Sequence, residues 1–160
     1  MDMYPFRQER NSIYYMIKIR QGVFETNSSS CHALCIKKEA LEESKLPTLD
    51  GIIQSKFMKC DETDEDLWFD SQKDKLSYVL TRLWYSEIFF DFDEFEESYL
   101  YNQFKRALLE YTSAKDLKIL MSEPQLNHQT LDQDILNLWD TDELINFIFC
   151  PYIQLHTFHD

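Results

Sequence analysis

From Phe24 to His32 the chain reads FETNSSSCH, with six polar side chains in a row from Glu25 to Ser30 and a histidine at the end. Serine hydroxyls and backbone N–H groups in such a turn are the groups that cradle an anion such as phosphate. His32 is placed to act as a general base toward Ser30 or a bound water, with Glu25 available to fix its tautomer. A second histidine stands in Asn127-His128-Gln129-Thr130. Two histidine-bearing loops that meet in space would form an acid–base pair. The candidate catalytic set is therefore Glu25, Ser28, Ser30, His32 and His128, and it would serve a hydrolase or a nucleotide-handling enzyme. The same residues have a plainer reading. Asn, Ser and Thr form hydrogen-bonded turns, His32 can be an ordinary strand residue, and Thr130 suits the N-cap of a following helix. No known catalytic signature has this spacing.

Metal chemistry is not expected. Cys31, His32 and Cys35 give C-x-x-x-C with one local histidine, which matches no zinc-ligand pattern, and in a strand His32 points away from both cysteines. Asp61, Glu62, Asp64, Glu65 and Asp66 lack the glycine and the spacing of a calcium loop. No cofactor is expected either. Cys31, Cys35, Cys60 and Cys150 are too few and too scattered for a disulfide scaffold and are read as reduced thiols.

The elements that must hold these segments come from a chain of 160 residues, 44% apolar and 15% aromatic, which suits one packed domain. Only two glycines are present, which argues against a Gly-rich phosphate loop and against a many-turned β-sandwich. Residues 1–15 read as an N-terminal extension and residues 16–160 as a single domain. MIKIR from Met16 and CHALCIKK from Cys31 alternate as strands. Residues 39–45 suit a short helix, and LPTLDGIIQSKF a weak strand or loop. Ser71 with Asp74 resembles a capping box ahead of the stripe Leu76, Val79, Leu80 and Leu83. Asp93 with Glu96 repeats that start signal, and Leu100, Phe104, Leu108 and Tyr111 continue it as a second long helix. The apolar run Ile88, Phe89, Phe90, Phe92 belongs at the corner between the two. DLKILM reads as a strand, and Asp132–Trp139 and Asp142–Phe149 read as short helices, the second ended by Pro151. The tail YIQLHTF alternates as an edge strand. The expected fold is α+β, with a small mixed or antiparallel sheet packed against two main helices and several short ones.

Charge is distributed unevenly. The formal charge is −13, but residues 1–60 carry seven acids and nine bases, residues 61–97 thirteen and three, and residues 98–160 nine and four. The central block is therefore −10 by itself (3 − 13). Such a surface repels a phosphate backbone, so direct nucleic-acid binding is not expected, and it accelerates the encounter with a basic protein. The candidate partner-binding residues are Asp61, Glu62, Asp64, Glu65 and Asp66 at one end of the block and Asp93, Glu94, Glu96 and Glu97 at the other. On a helix, Asp93, Glu96 and Glu97 would project outward while Phe92 and Phe95 face inward. The plain alternative is a solvated acidic face that keeps an aromatic-rich chain in solution.

The string VFETNSSSCHALCI, preceded by the short basic strand MIKIRQG, resembles the N-terminal signature of an uncharacterised family of small proteins from Firmicutes and their bacteriophages. WFDSQKDKLSYVLT, LNHQT and NFIF resemble later segments of that family in the same order, and residues 1–15 lie outside the resemblance. It implies a bacterial or phage setting and no particular activity.

No apolar run is long enough to span a membrane, and MDMYPFRQERNSIYY lacks the apolar core of a signal peptide. A cytoplasmic location in a bacterial host cell is therefore expected. The functional expectation is an acidic phage or mobile-element type protein that docks on a basic, nucleic-acid-binding host protein such as a nuclease. An anti-CRISPR-like or other anti-defence inhibitor is its concrete form. The alternative is the hydrolase built on Glu25, Ser28, Ser30, His32 and His128.

Overall fold

The computed structural model of the chain describes residues 5–6, 15–16, 30–36, 45–58, 67–87, 89, 91–120 and 135–159. In chain order the elements are β1 (Pro5–Phe6), β2 (Tyr15–Met16), β3 (Ser30–Ile36), β4 (Thr48–Leu49), β5 (Ile52–Ser55), β6 (Leu67–Phe69), α1 (Gln72–Tyr85), α2 (Phe92–Glu97), α3 (Tyr99–Thr112), β7 (Asp116–Ile119), α4 (Thr141–Phe149) and β8 (Ile153–His159). The class is α+β. The strands form an antiparallel pair β1-β2, an antiparallel sheet β3-β8-β6 and a mixed sheet β4-β5-β7.

α1 is the central helix. Ser71 caps its start, its hydroxyl accepting from the Asp74 N–H at 3.0 Å and donating to the Asp74 carboxylate at 2.6 Å. Every residue from Lys75 to Leu83 is buried, so the helix is covered all round rather than on one stripe. Its polar members therefore need partners. Thr81 accepts from the Met58 N–H at 2.8 Å and donates to the Ser77 carbonyl at 2.7 Å, which ties the segment that follows β5 to the middle of the helix.

The mixed sheet rests on a tight hairpin. Asp50 and Gly51 both have positive φ, 53° and 81°, which suits the two-residue turn between β4 and β5. β5 then runs parallel to β7, and the chain between them passes through β6, α1, α2 and α3, the long crossover that parallel pairing demands.

Several expectations change. The long helix expected from Asp93 onward is two helices. Ser98 is extended (φ −64°, ψ 148°) and serves as C-cap of α2 and N-cap of α3. The Asn102 amide donates to the Glu96 carbonyl at 2.7 Å, an acceptor that a continuous helix would have used, and also to the Ser98 carbonyl at 2.9 Å, which accepts from the Asn102 N–H as well. The tail is the central strand β8 and not an edge. Ile153, Gln154 and Leu155 are all buried, so both of its faces are packed and polar alternation did not mark a solvent side. Ile135 to Asp140 is a turn and not the end of a helix, because the Asn137 side chain accepts from the Trp139 N–H at 3.2 Å and competes with helical bonding. The segments 17–29, 37–44, 59–66 and 121–134 lie outside the described residues, and with them most of MIKIR, the short helix at 39–45 and the start of the one at 132. Among the described residues no helix is long and apolar enough to cross a membrane.

Candidate functional site

The described part of the acidic block is the α2–α3 corner. Asp91 caps α2 by accepting from the Glu94 N–H at 2.9 Å. Phe95, on the inner side of the helix, is fully buried. Its ring meets those of Phe57, Trp84, Phe89, Phe92 and Tyr101 at centroid distances of 5.7, 5.2, 5.4, 6.1 and 4.7 Å. A helix of one and a half turns has little stability alone, so this aromatic plug is what fixes it. The consequence on the outer side is that Asp93, Glu94, Glu96 and Glu97 are all exposed, followed by Tyr99 at 66% exposure. Among the described residues no lysine or arginine forms an ion pair with Asp93, Glu96 or Glu97. The inward Phe92 and Phe95 and outward carboxylates agree with the helical reading of the sequence.

The negative field reaches inward as well. Tyr101 is buried, its hydroxyl has no hydrogen-bond partner among the described residues, and its ionisation is pushed well above the ordinary tyrosine range by burial first and by Glu96 and Asp116 second. Asp116 in turn accepts from Lys105 at 2.7 Å, a bond that holds its carboxyl below the usual range.

A second cluster was missed at the sequence level. Lys75, only 1% exposed, donates to the Cys150 carbonyl at 2.9 Å and lies 5.8 Å from the centre of the Phe147 ring. Burial lowers its ionisation to about 8, against an opposing pull from Cys150 and Asp70. Asp70 accepts from the Gln154 amide, and beside it the Trp68 and His156 rings stack at 3.6 Å, nearly parallel. An amine so enclosed meets no substrate from solvent, so Lys75 acts as a tether between α1 and the end of α4. Only its position one residue before the apolar stripe hinted at burial. Among the described residues no group of three potential ligands is placed to hold a metal ion.

Of the expected catalytic residues, Ser30 and His32 are among the described ones. Ser30 and His32 lie on β3, opposite His159 and Thr157 of β8. Glu25, Ser28 and His128 lie outside the described residues, as do Asp61, Glu62, Asp64, Glu65 and Asp66. The structure thus brings together Asp93, Glu94, Glu96 and Glu97 and leaves the pairing of His32 with His128 untouched. No family model, no curated protein and no solved structure matches the chain.

Proposed function

We propose that the chain is an acidic docking protein of phage or mobile-element type that binds a basic, nucleic-acid-binding protein of the host cell. The observation that carries the reading is the α2–α3 corner. Asp93, Glu96 and Glu97 stand on a helix fixed by Phe95, with Tyr99 exposed beside them and no described cation opposite. Rigid presentation matters because carboxylates already held in place lose little freedom on binding. Aromatic residues next to charge are the usual anchors of protein interfaces. The net charge of −13 favours a basic partner, and a surface that mimics a row of phosphates would compete with that partner's nucleic acid. The resemblance of FETNSSSCH to a family from Firmicutes and their phages bears on the setting alone, and within that setting an anti-CRISPR-like or other anti-defence inhibitor is the concrete form of the proposal.

The test is capture of a host partner at low and high salt, by the wild-type chain and by charge-reversed variants at Asp61 to Asp66 and at Asp93 to Glu97. A partner that is basic, binds fast, and is released steeply by salt is expected. Salt-insensitive capture, or capture that survives both reversals, would reject the proposal.

A further inference from the structure

Trp139 is the most exposed large apolar side chain among the described residues, at 69%. A single exposed apolar residue is ordinarily unremarkable. This one is different because the turn beneath it is fixed. The Asn137 N–H donates to the Glu143 carboxylate at 3.0 Å, the Trp139 N–H to the Asn137 side chain at 3.2 Å, and the Asp140 N–H to the Asn137 carbonyl at 3.0 Å. Asp140 then caps α4 by accepting from the Glu143 N–H at 3.1 Å. Leu136 is buried three residues before the tryptophan and Leu144 five after it, so both ends of the turn are pinned to the core. Among the described residues the indole makes no ring contact and no hydrogen bond. The backbone that carries the indole is fixed, and the side chain is displayed to solvent.

We propose that Trp139, with the exposed Asp140 and Asp142 one and three positions on, reads an arginine side chain of the basic partner protein; this rests on the docking function proposed above. The chemistry selects the occupant. An apolar pocket closing over the indole would also desolvate two exposed carboxylates, which is costly unless a cation meets them. A guanidinium meets both requirements. Its flat face lies on the indole, the best ring for a cation, and its N–H groups reach carboxylate oxygens. Lysine offers a point charge without the flat face. One oxygen of Asp140 serves the cap, and Asp142 makes none of the described hydrogen bonds, so acceptors remain. A second copy of the chain is disfavoured as occupant by the charge of −13 on each. Tyr99 beside Glu96 and Glu97 repeats the pattern with a weaker ring.

The experiment is an amide and indole NMR titration of the full chain at low salt with two octapeptides, one alternating glycine and arginine, the other glycine and lysine. The three tryptophans give three indole signals, and W139F assigns the one that matters. The arginine peptide is expected to move the Trp139 signal saturably and to bind at least about fivefold tighter than the lysine peptide. W139A, and separately D140N with D142N, should bring the two affinities together. Asparagine caps a helix as well as aspartate does, so the second variant keeps α4 intact. Equal affinities in the wild type, or discrimination that survives both variants, would overturn the inference. A stationary Trp139 signal while others shift would overturn it and leave the docking function standing. If no signal moves with either peptide, the docking function fails as well.

Discussion

The Lys75 ammonium nitrogen lies 2.9 Å from the backbone carbonyl oxygen of Cys150, seventy-five positions further along the chain. The bond joins the first turn of α1 to the C-cap of α4, just ahead of β8. One carbonyl and one aromatic face are modest compensation for a cation that is 1% exposed, and its lowered ionisation reflects this.

That imbalance makes stability depend on pH in a definite direction. Lys75 ionises near 10.5 when unfolded and near 8 when folded, so between those values the unfolded chain binds more protons. Stability should then rise with pH across that window, on the order of 2 kcal/mol after allowance for solvent screening. Tyr78 has the opposite effect, because burial raises its ionisation from 10.0 to about 12 and stability is lost as pH climbs through that range. Urea denaturation from pH 7 to 12 should show a rise followed by a fall. In K75M the rise should vanish and the fall persist; an unchanged rise in K75M would refute the assignment.

Ser113 closes α3 in the left-handed conformation at φ 55°, where a side chain is strained and glycine is not. S113G should therefore stabilise the protein by about 0.5–1 kcal/mol, read as a higher denaturation midpoint with unchanged m-value. A lower midpoint would show that the serine makes contacts that outweigh the strain.

Thr81 is fully buried and accepts the Met58 N–H. T81V keeps the shape but leaves that N–H buried without a partner, at a cost of about 1–3 kcal/mol. T81S keeps the hydroxyl and should lose less; if valine proves the milder change, the hydrogen bond is not what matters there.

Phe95 anchors the acidic helix through its aromatic neighbours. F95A should cost about 3–5 kcal/mol. Under conditions where the variant stays folded, hydrogen exchange should rise first in α2, while E96Q with E97Q should leave stability nearly unchanged. Equal protection of α2 in F95A and wild type would mean that the plug does not hold the helix.

Much of the local structure was legible in residues close together in sequence. Ser71 and Asp74 start α1 because the Ser71 hydroxyl accepts the orphan Asp74 N–H and donates to the Asp74 carboxylate three positions on. Phe92 and Phe95 set one side of α2 inward and thereby set its carboxylates outward. Asp50-Gly51 is a hairpin signal that a weak-strand reading of the segment overlooked. Where a nearby side chain competes with the backbone, periodicity misled: Asn102 and Ser98 divide one expected helix into two, and Asn137 turns another into a turn.

By itself, the sequence determined composition-level and nearest-neighbour properties: an α+β class, the start of α1 at Ser71, and the concentration of charge between residues 61 and 97. These follow from forces that act over a few residues or from simple counting. The start signal read at Asp93 lies instead at Asp91, and that of α3 at Ser98 was not read. Tertiary structure alone decided that β8 is central, that Lys75 is enclosed against Cys150, and that Trp139 is displayed while Trp84 packs among phenylalanines. Burial depends on what arrives from distant parts of the chain. A lysine beside an apolar stripe and a tryptophan before a helix look alike in sequence whether the space around them is filled or open.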